Sequence, residues 1–500
     1  MIRRVISSFV SRMSTSHAVS ESSNLAATAT AAATASTPTT TVSPTPPPAD
    51  NKISPTTTVS SEFNTVTEGK ATILTPKADE VFYNPIQQFN RDLSIMAIQA
   101  YDQLRHEAHE ATSNRNKKKK KLNGLKILES LSASGLRSCR YGLEIPEASR
   151  IVANDLLPEA VEQIKQNVEH NGLAGKVAAN QGDAIKFMAS TDEKFHVVDL
   201  DPYGTAAPFI DSAIQCLEED GMLLVTCTDA AVLAGSGYPE KCYALLILNL
   251  IASTAAKYKK SVEPMLCLSI DYYFRLFVKV RTSPIAVKNH ASETMLVYGC
   301  NGCGDKLFQP LGNRKDNKFN YPKMVGSHSC KYCESSYNVA GPMYAGSLQL
   351  SAFIDKILEI NAKADREVYS TTERIRGMLT IAKNELEHPF YFNVNQLCSL
   401  FKCPPLSLQN PTPSRQTCRG SRSSRSSSSG GEREMGKDKE LNTVGAKVIA
   451  YLQQHPKHDT NADFESESAE SKRIHELRKV KMVRFQQNPR KNWGPQKRGK

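Results

Sequence analysis

The segment 195–209, FHVVDLDPYGTAAPF, runs from a short apolar stretch directly into a carboxylate, a proline and an aromatic residue. Phe195 to Leu200 is β-branched at its centre and followed by turn residues, the pattern of a strand buried in a parallel sheet. In open α/β sheets, ligands bind outside the carboxyl ends of such strands. Asp201 at that edge can accept a hydrogen bond from an amine, and the Pro202 carbonyl can accept another. The ring of Tyr203 can stack on a flat base. Taken alone, the same residues also read as a tight turn with a structural Asp.

The flanking sequence extends this reading. Between Leu125 and Cys227, the apolar runs LKILESL, IVAND, KVAAN, FHVVDL and GMLLVTCT alternate with helical segments such as PEAVEQIKQNVEHN, which Pro158 opens and Asn171-Gly172 closes. That βαβ alternation predicts a doubly wound parallel sheet. The first strand leads into SLSASGLRSCR (130–140), a glycine-containing turn whose backbone N–H groups can meet a polar ligand. The second ends at Asn154-Asp155, where an acid can hold ribose hydroxyls. The third leads into QGDA (181–184), which places Asp183 where an adenine amine would lie. The series fits a nucleoside cofactor without a pyrophosphate, S-adenosylmethionine rather than NAD.

Composition narrows the class. The chain has 500 residues, 40% of them hydrophobic, and a net charge of +12, which points to a polyanionic partner. No apolar run reaches membrane-spanning length, so no membrane partner is expected. Of twelve cysteines, four form two C-x2-C units, Cys300/Cys303 and Cys330/Cys333, with 26 residues between them. That spacing predicts a closed four-thiolate site for one structural Zn²⁺, with His328 a less favoured substitute ligand. Most of the others, such as Cys216, Cys227 and Cys267, sit singly in apolar segments, and with no secretory signal or disulfide framework this fits a reducing compartment.

The ends differ in character. Residues 2–12 carry Arg3, Arg4 and Arg12 with apolar residues on one helical face and no acid, the build of a mitochondrial presequence, and Met13 offers a second start. Residues 21–60 are Ala, Thr, Ser and Pro, too small and polar to form a core. Lys117–Lys121 reads either as a nuclear localisation signal or as a solvated insertion. Residues 410–437 are low-complexity Ser, Arg and Gly, and the last twenty residues carry seven Lys/Arg around Phe485 and Trp493, which suits contact with nucleic acid.

The stretches EGKATILTPKADEVFYNPIQQFNRDLS (68–94), LSASGLRS, ANDLLPEAV, DLDPYGTAAPFIDSA, SIDYYFRLFVKV (269–280) and AGPMYAGSL (340–348) together resemble the tRNA guanine-N2 dimethyltransferase family. The resemblance covers most of 66–408, and 484–498 looks like the family's RFQxNPxxNWGP ending. It implies an α/β fold: a class I, Rossmann-like S-adenosylmethionine methyltransferase sheet with a smaller C-terminal α/β zinc-bearing domain. The implied activity is methylation, and dimethylation, of the N2 amine of guanine 26 in tRNA, with no obligate protein partner. By position, Arg91, Arg137, Asp155, Asp183 and Ala184 match cofactor-binding residues, and Asp201 matches the catalytic acid beside Pro202 and Tyr203.

The expected divisions are 1–65 as presequence and disordered start, 66–284 as the catalytic domain with a basic insertion at 112–124, 285–408 as the zinc-bearing tRNA-contact domain, and 409–500 as linker and basic tail. Mitochondrion and nucleus are the expected locations. The chain departs from the family pattern after PEKCY, where PEKCYALLILNLIAS (239–253) runs straight on, and after 408, where low-complexity sequence stands. The flanking strands remain, so the catalytic sheet should survive. A methyltransferase acting on another nucleobase amine, or a non-catalytic RNA-binding relative, would share much of this pattern.

Overall fold

The computed structural model describes residues 63–76, 83–116, 122–228, 241–271, 273–315, 318–325, 328–385, 390, 399–400 and 444–454. The expectations for residues 1–62, Lys117–Lys121, 410–437 and the tail 484–498 lie outside the described residues.

A hairpin comes first, β1 (Phe63–Glu68) and β2 (Ala71–Pro76), with Gly69 in its turn at φ +61°. A Cβ at Gly69 would lie 2.3 Å from Glu144 Oε1 and 2.5 Å from Arg140 Nε, so only glycine fits the close approach. Helix α1 (Gln88–Asn116) follows, its first half almost wholly buried. Then come β3 (Leu125–Glu129), α2 (Leu136–Glu144), β4 (Ala148–Asp155), α3 (Pro158–His170), β5 (Val177–Gln181), α4 (Ala184–Ser190), β6 (Phe195–Leu200), α5 (Ile210–Cys216) and β7 (Leu217–Cys227). These alternate as the apolar runs predict. Pro158 stands in the first turn of α3, and Gly172 just past its end has φ +66°.

After α6 (Lys241–Lys257) the sheet is completed by β8 (Lys260–Ile270) and β9 (Tyr273–Thr282). The strand order is β5-β4-β3-β6-β7-β9-β8. The first five are parallel, but β9 runs antiparallel to both β7 and β8. The five strands between Leu125 and Cys227 are thus parallel as expected, and β8 and β9, beyond that stretch, make the whole sheet mixed. The reason is local: β8 and β9 are joined by too short a connection for a crossover, so the chain must turn back on itself. The order reverses between β3 and β6, and that switch point marks where an open α/β sheet receives its ligand. Both strands flanking the shortened segment after β7 are in place, as expected.

Successive residues of the inner strands face opposite layers. Ile127, Ile151, Val197 and Met222 pack with α1, α2 and α3, while Leu128, Val152, Val198 and Leu223 pack with α4, α5 and α6. Beyond the short α7 (Pro284–Val287), strands β10 (Thr294–Cys300), β11 (Lys306–Pro310) and β14 (Tyr337–Tyr344) form an antiparallel sheet in the order β11-β10-β14. Between β11 and β14, β12 (Asn313–Lys315) and β13 (Lys318–Asn320) make a separate hairpin. Helices α8 (Ser351–Lys363) and α9 (Thr372–Asn384) return to the first layer through Phe353, Ile357, Ile375 and Leu379. A last helix, α10 (Val444–Gln454), packs Val448 against the cysteines.

Candidate active site and cysteine cluster

The carboxyl edge of the central sheet is held by one buried side chain. Asn154, at the end of β4, donates from Nδ2 to the Ser130 carbonyl (2.9 Å) and to the Gly182 carbonyl (3.1 Å), and its Oδ1 accepts from Asn180 Nδ2 (2.7 Å). The loops after β3, β4 and β5 are thereby tied together. Beside it, Asp155 accepts from the N–H of Ala133 (2.8 Å) and of Leu157 (3.1 Å). Ala133 and Gly135 both have positive φ, +47° and +73°, so the turn into α2 is tightly curled against this carboxylate. Asp183 caps α4, accepting from the N–H groups of Ile185 and Lys186 at 2.8 and 3.1 Å. Ala184 is buried in the second layer. Asp155, Asp183, Ala184 and Asp201 thus share one sheet edge.

Asp201 follows β6 directly. Its Oδ2 is ion-paired with Arg137 Nη2, and Asn90 Nδ2 lies 3.5 Å from the same oxygen. Pro202 is buried, whereas Tyr203 is 78% exposed. The next residue is pinned: Gly204 N–H donates to Thr228 Oγ1 and Thr228 N–H to the Gly204 carbonyl, each at 2.9 Å. A fixed carboxylate beside a solvent-facing aromatic ring is the result.

Beneath Asp201 lies a buried charge network that sequence reasoning missed. Asp199 is fully buried and receives Arg275 through both oxygens at 2.8 and 3.0 Å, Tyr141 Oη at 2.6 Å and Arg137 Nη1 at 3.3 Å. Burial alone would push the Asp199 carboxyl up, but Arg275 and Arg137 together hold it below the usual range. Glu129, its neighbour on β3 in the strand register, accepts from the Ser138 N–H and hydroxyl. Burial dominates there and raises its pKa to about 7, against the opposing pull of Arg137 and Ser138. A charged residue inside an apolar strand was the available signal in ILES, VVDL and FRLF.

Arg91 belongs to a second network. It donates to Glu68 Oε1 at 2.6 Å and to the Asn84 carbonyl at 3.0 Å. Arg140 bonds Glu68 Oε1 at 2.8 Å and Glu144 at 2.9 Å, and lies 2.7 Å from Asp92 Oδ1. Both arginines matched to cofactor contacts are therefore engaged with carboxylates of the protein, Arg91 away from Asp201 and Arg137 against it.

One further group points to a ligand. In the register, Thr226 of β7 pairs with Arg275, so Tyr273 stands two residues nearer the sheet edge on the same face. Its hydroxyl is buried and has no hydrogen-bond partner among the described residues. Burial drives that phenol's pKa up, with Arg374 and Asp201 among the charges acting on it. An orphaned buried hydroxyl is costly unless something fills it.

The four cysteines come together as their spacing predicts. All four sulfurs lie within 4.8 Å of one another, with Cys300 to Cys333 at 3.4 Å and Cys303 to Cys330 at 3.6 Å. None is in a disulfide. Two matching turns present them: the Cys300 N–H meets the Asp305 carbonyl and the Cys330 N–H the Ser335 carbonyl, both at 2.8 Å. The Gly302 and Tyr332 N–H groups point at Cys300 and Cys330 sulfur at 3.4 and 3.5 Å. A tetrahedron with Zn–S of about 2.3 Å has edges of roughly 3.8 Å, so this donor set fits zinc. His328 is exposed and not part of the cluster.

The sheet order, the antiparallel last pair and the acid-lined carboxyl edge define a class I methyltransferase fold. The chain belongs to the N2,N2-dimethylguanosine tRNA methyltransferase family, whose pattern it matches over residues 61–412. It is 42% identical to the mitochondrial tRNA (guanine(26)-N(2))-dimethyltransferase of Saccharomyces cerevisiae, over 87% of this chain and 92% of that one. To the human tRNA (guanine(26)-N(2))-dimethyltransferase it is 32% identical, over 87% of this chain and 78% of that one. Among solved structures, it is similar to Trm1 from Pyrococcus horikoshii in complex with S-adenosyl-L-methionine, with a TM-score of 0.54 and 25% identity over 67% of this chain and 87% of that one.

Proposed function

We propose that this chain transfers methyl groups from S-adenosylmethionine to the N2 amine of guanine at position 26 of tRNA, twice in succession. The observation that carries this reading is Asp201, fixed at the sheet's switch point by Arg137 beside the exposed ring of Tyr203. The guanine amine is a poor nucleophile because its lone pair is delocalised into the ring. Hydrogen bonds from its two N–H groups to Asp201 and the Pro202 carbonyl would orient that lone pair, and Tyr203 would stack on the base. Asp201 is also the group placed to accept the proton. After one methylation a single N–H remains, so one of the two acceptors is released.

The donor set at the edge fits the cofactor. Asp155 would hold the ribose hydroxyls and Asp183 and Ala184 would meet the adenine, while the Tyr273 hydroxyl, without a partner among the described residues, would supply a polar contact. Arg91 and Arg137 are assigned to the same pocket by family position. S-adenosylmethionine, when bound, supplies an electrophilic methyl group on a sulfonium. Cys300, Cys303, Cys330 and Cys333 would hold one Zn²⁺ in a structural role, since four protein thiolates leave it no open position. Residues 66–284 then form the catalytic part and 285–408 the part that helps hold tRNA.

The presequence pattern of residues 2–12, together with the mitochondrial name of the yeast relative, supports import into mitochondria. A shorter product from Met13 would lose Arg3, Arg4 and Arg12 and go to the nucleus, directed by Lys117–Lys121. Incubation of tRNA with the purified full chain and methyl-labelled cofactor, followed by nucleoside analysis, tests the activity. Labelled N2-methyl- and N2,N2-dimethylguanosine are expected. Absence of label in guanosine overturns the reading.

A further inference from the structure

The hairpin of β12 and β13, set between the two cysteine pairs, has an unusual surface. Arg314, Lys315, Lys318 and Lys323 are all exposed, and so are Phe319, Tyr321 (98%), Met324 (78%) and Val325. The register places Lys315 directly opposite Lys318, and Arg314 opposite Phe319. Like charges opposed across a strand pair destabilise it. No ion pair joins Lys315, Lys318 or Lys323 to a carboxylate among the described residues. A two-stranded hairpin is already marginal by itself, so this one carries an added cost in its free state.

The base of the hairpin is nevertheless firmly built. Buried Gln309 donates to the Lys323 carbonyl (3.2 Å) and accepts from the Val325 N–H (2.7 Å). Arg314 Nη1 donates to Asn289 Oδ1 at 2.8 Å. At Gly312 a Cβ would sit 2.8 Å from the Ala291 backbone, so a side chain there would lift the hairpin off its support. The segment is held through Arg314 and the backbone of Lys323 and Val325, while the side chains of Lys315, Lys318, Phe319, Tyr321 and Lys323 stay exposed. Arg314 lies over the Phe319 ring at 5.8 Å, which holds that ring in a fixed attitude.

We infer that the exposed side chains of Lys315, Lys318, Phe319, Tyr321 and Lys323 form a docking surface for tRNA, the lysines taking phosphates and Phe319 or Tyr321 an unstacked base. The inference rests on the proposed tRNA methyltransferase reading and adds to it a second contact outside the Asp201 site. The occupant follows from charge complementarity. A polyanion removes the repulsion between Lys315 and Lys318, and exposed rings among cations are a platform for bases. A protein partner would use the same rings but gain little from three lysines that have no ion pair among the described residues.

The test uses the full chain in two forms, Lys315→Ala/Lys318→Ala and Phe319→Ala/Tyr321→Ala. The lysine pair should lower the slope of log affinity against log salt by about one unit or more and weaken tRNA binding about tenfold. The aromatic pair should weaken binding by about five- to a hundredfold. In both, KM for tRNA rises while kcat at saturating tRNA and cofactor affinity stay as in the parent. The lysine pair should also melt at the same or a higher temperature, because repulsion is removed, which a merely structural role would not give. Unchanged tRNA affinity in folded variants overturns the inference, as does a change in self-association in its place. If either double variant fails to fold, Lys323→Ala reads the same affinity and salt slope. A parent chain that fails to methylate tRNA is a different result, because it overturns the underlying reading and the inference with it.

Discussion

Arg137, from the first turn of α2, pairs with Asp201 through Nη2 while its Nη1 lies 3.3 Å from Asp199 Oδ2. One guanidinium thus links the partly buried carboxylate just past the end of β6 to the fully buried one two residues earlier, inside the strand. Asp199 lies on the face of β6 that packs with α1 and α2, and the planar fork of Arg137 spans the step from it to Asp201.

Replacing that fork tests its role. Arg137→Lys keeps a charge but loses the second arm, so kcat should fall roughly 10²-fold through misplacement of Asp201. Arg137→Ala should also lose about 3–5 kcal/mol of stability, because buried Asp199 and Glu129 lose a partner. Single-turnover methylation with parallel denaturant melts separates the two effects. Parent-like turnover in Arg137→Lys would show that the link is not used.

Glu129 supplies a pH signature. Its folded pKa of about 7 lies above the 4.5 of a free glutamate, so the folded chain holds this proton more tightly than the unfolded chain. Stability is therefore lost as pH rises through the window from about 4.5 to 7, by about 3 kcal/mol in all. Glu129→Gln removes this term, so the variant should gain on the parent between about pH 4.5 and pH 7 and the difference should level off above that. Asp199 acts in the opposite sense: its lowered pKa contributes stability above the unfolded carboxylate range that is lost in acid. A difference between parent and Glu129→Gln that stays flat with pH would contradict the assignment.

Metal analysis of reduced protein should find about one Zn²⁺ per chain. Cys303→Ser or Cys330→Ser should release it and loosen β10 to β14. Helix α10 should detach with them, since Val448 packs on the cysteines, Lys447 bonds Glu334 at 2.7 Å, and Tyr451 meets Tyr332 edge-on at 5.0 Å. Hydrogen exchange should report both changes while the central sheet stays protected. Protein that contains no metal yet keeps this protection would argue against zinc.

The parallel strands were legible because each is a short apolar run closed by turn residues, and burial on both faces leaves no polar alternation to confuse them. The cysteine cluster was legible from spacing alone. What could not be read were partners fixed only by tertiary register. Asp199 and Arg275 lie 76 residues apart, and nothing local says that one neutralises the other. Arg91 and Arg137 carry the same local signal, an arginine on a helix, yet one closes on Glu68 and the other on Asp201. The return of α8 and α9 to the first core layer was not legible either, because their apolar faces fit any neighbouring surface.

The central claim is that Asp201 orients the guanine amine and takes its proton. The most direct measurement is nucleoside analysis of tRNA treated with Asp201→Ala and Asp201→Asn, alongside cofactor affinity for each. Loss of methyl transfer in Asp201→Ala, severe impairment in Asp201→Asn and nearly parent-like cofactor binding in both are the expected results. The Asn variant can still present a carbonyl but is a poor proton acceptor. Near-normal N2-methylguanosine formation by Asp201→Ala would contradict the account.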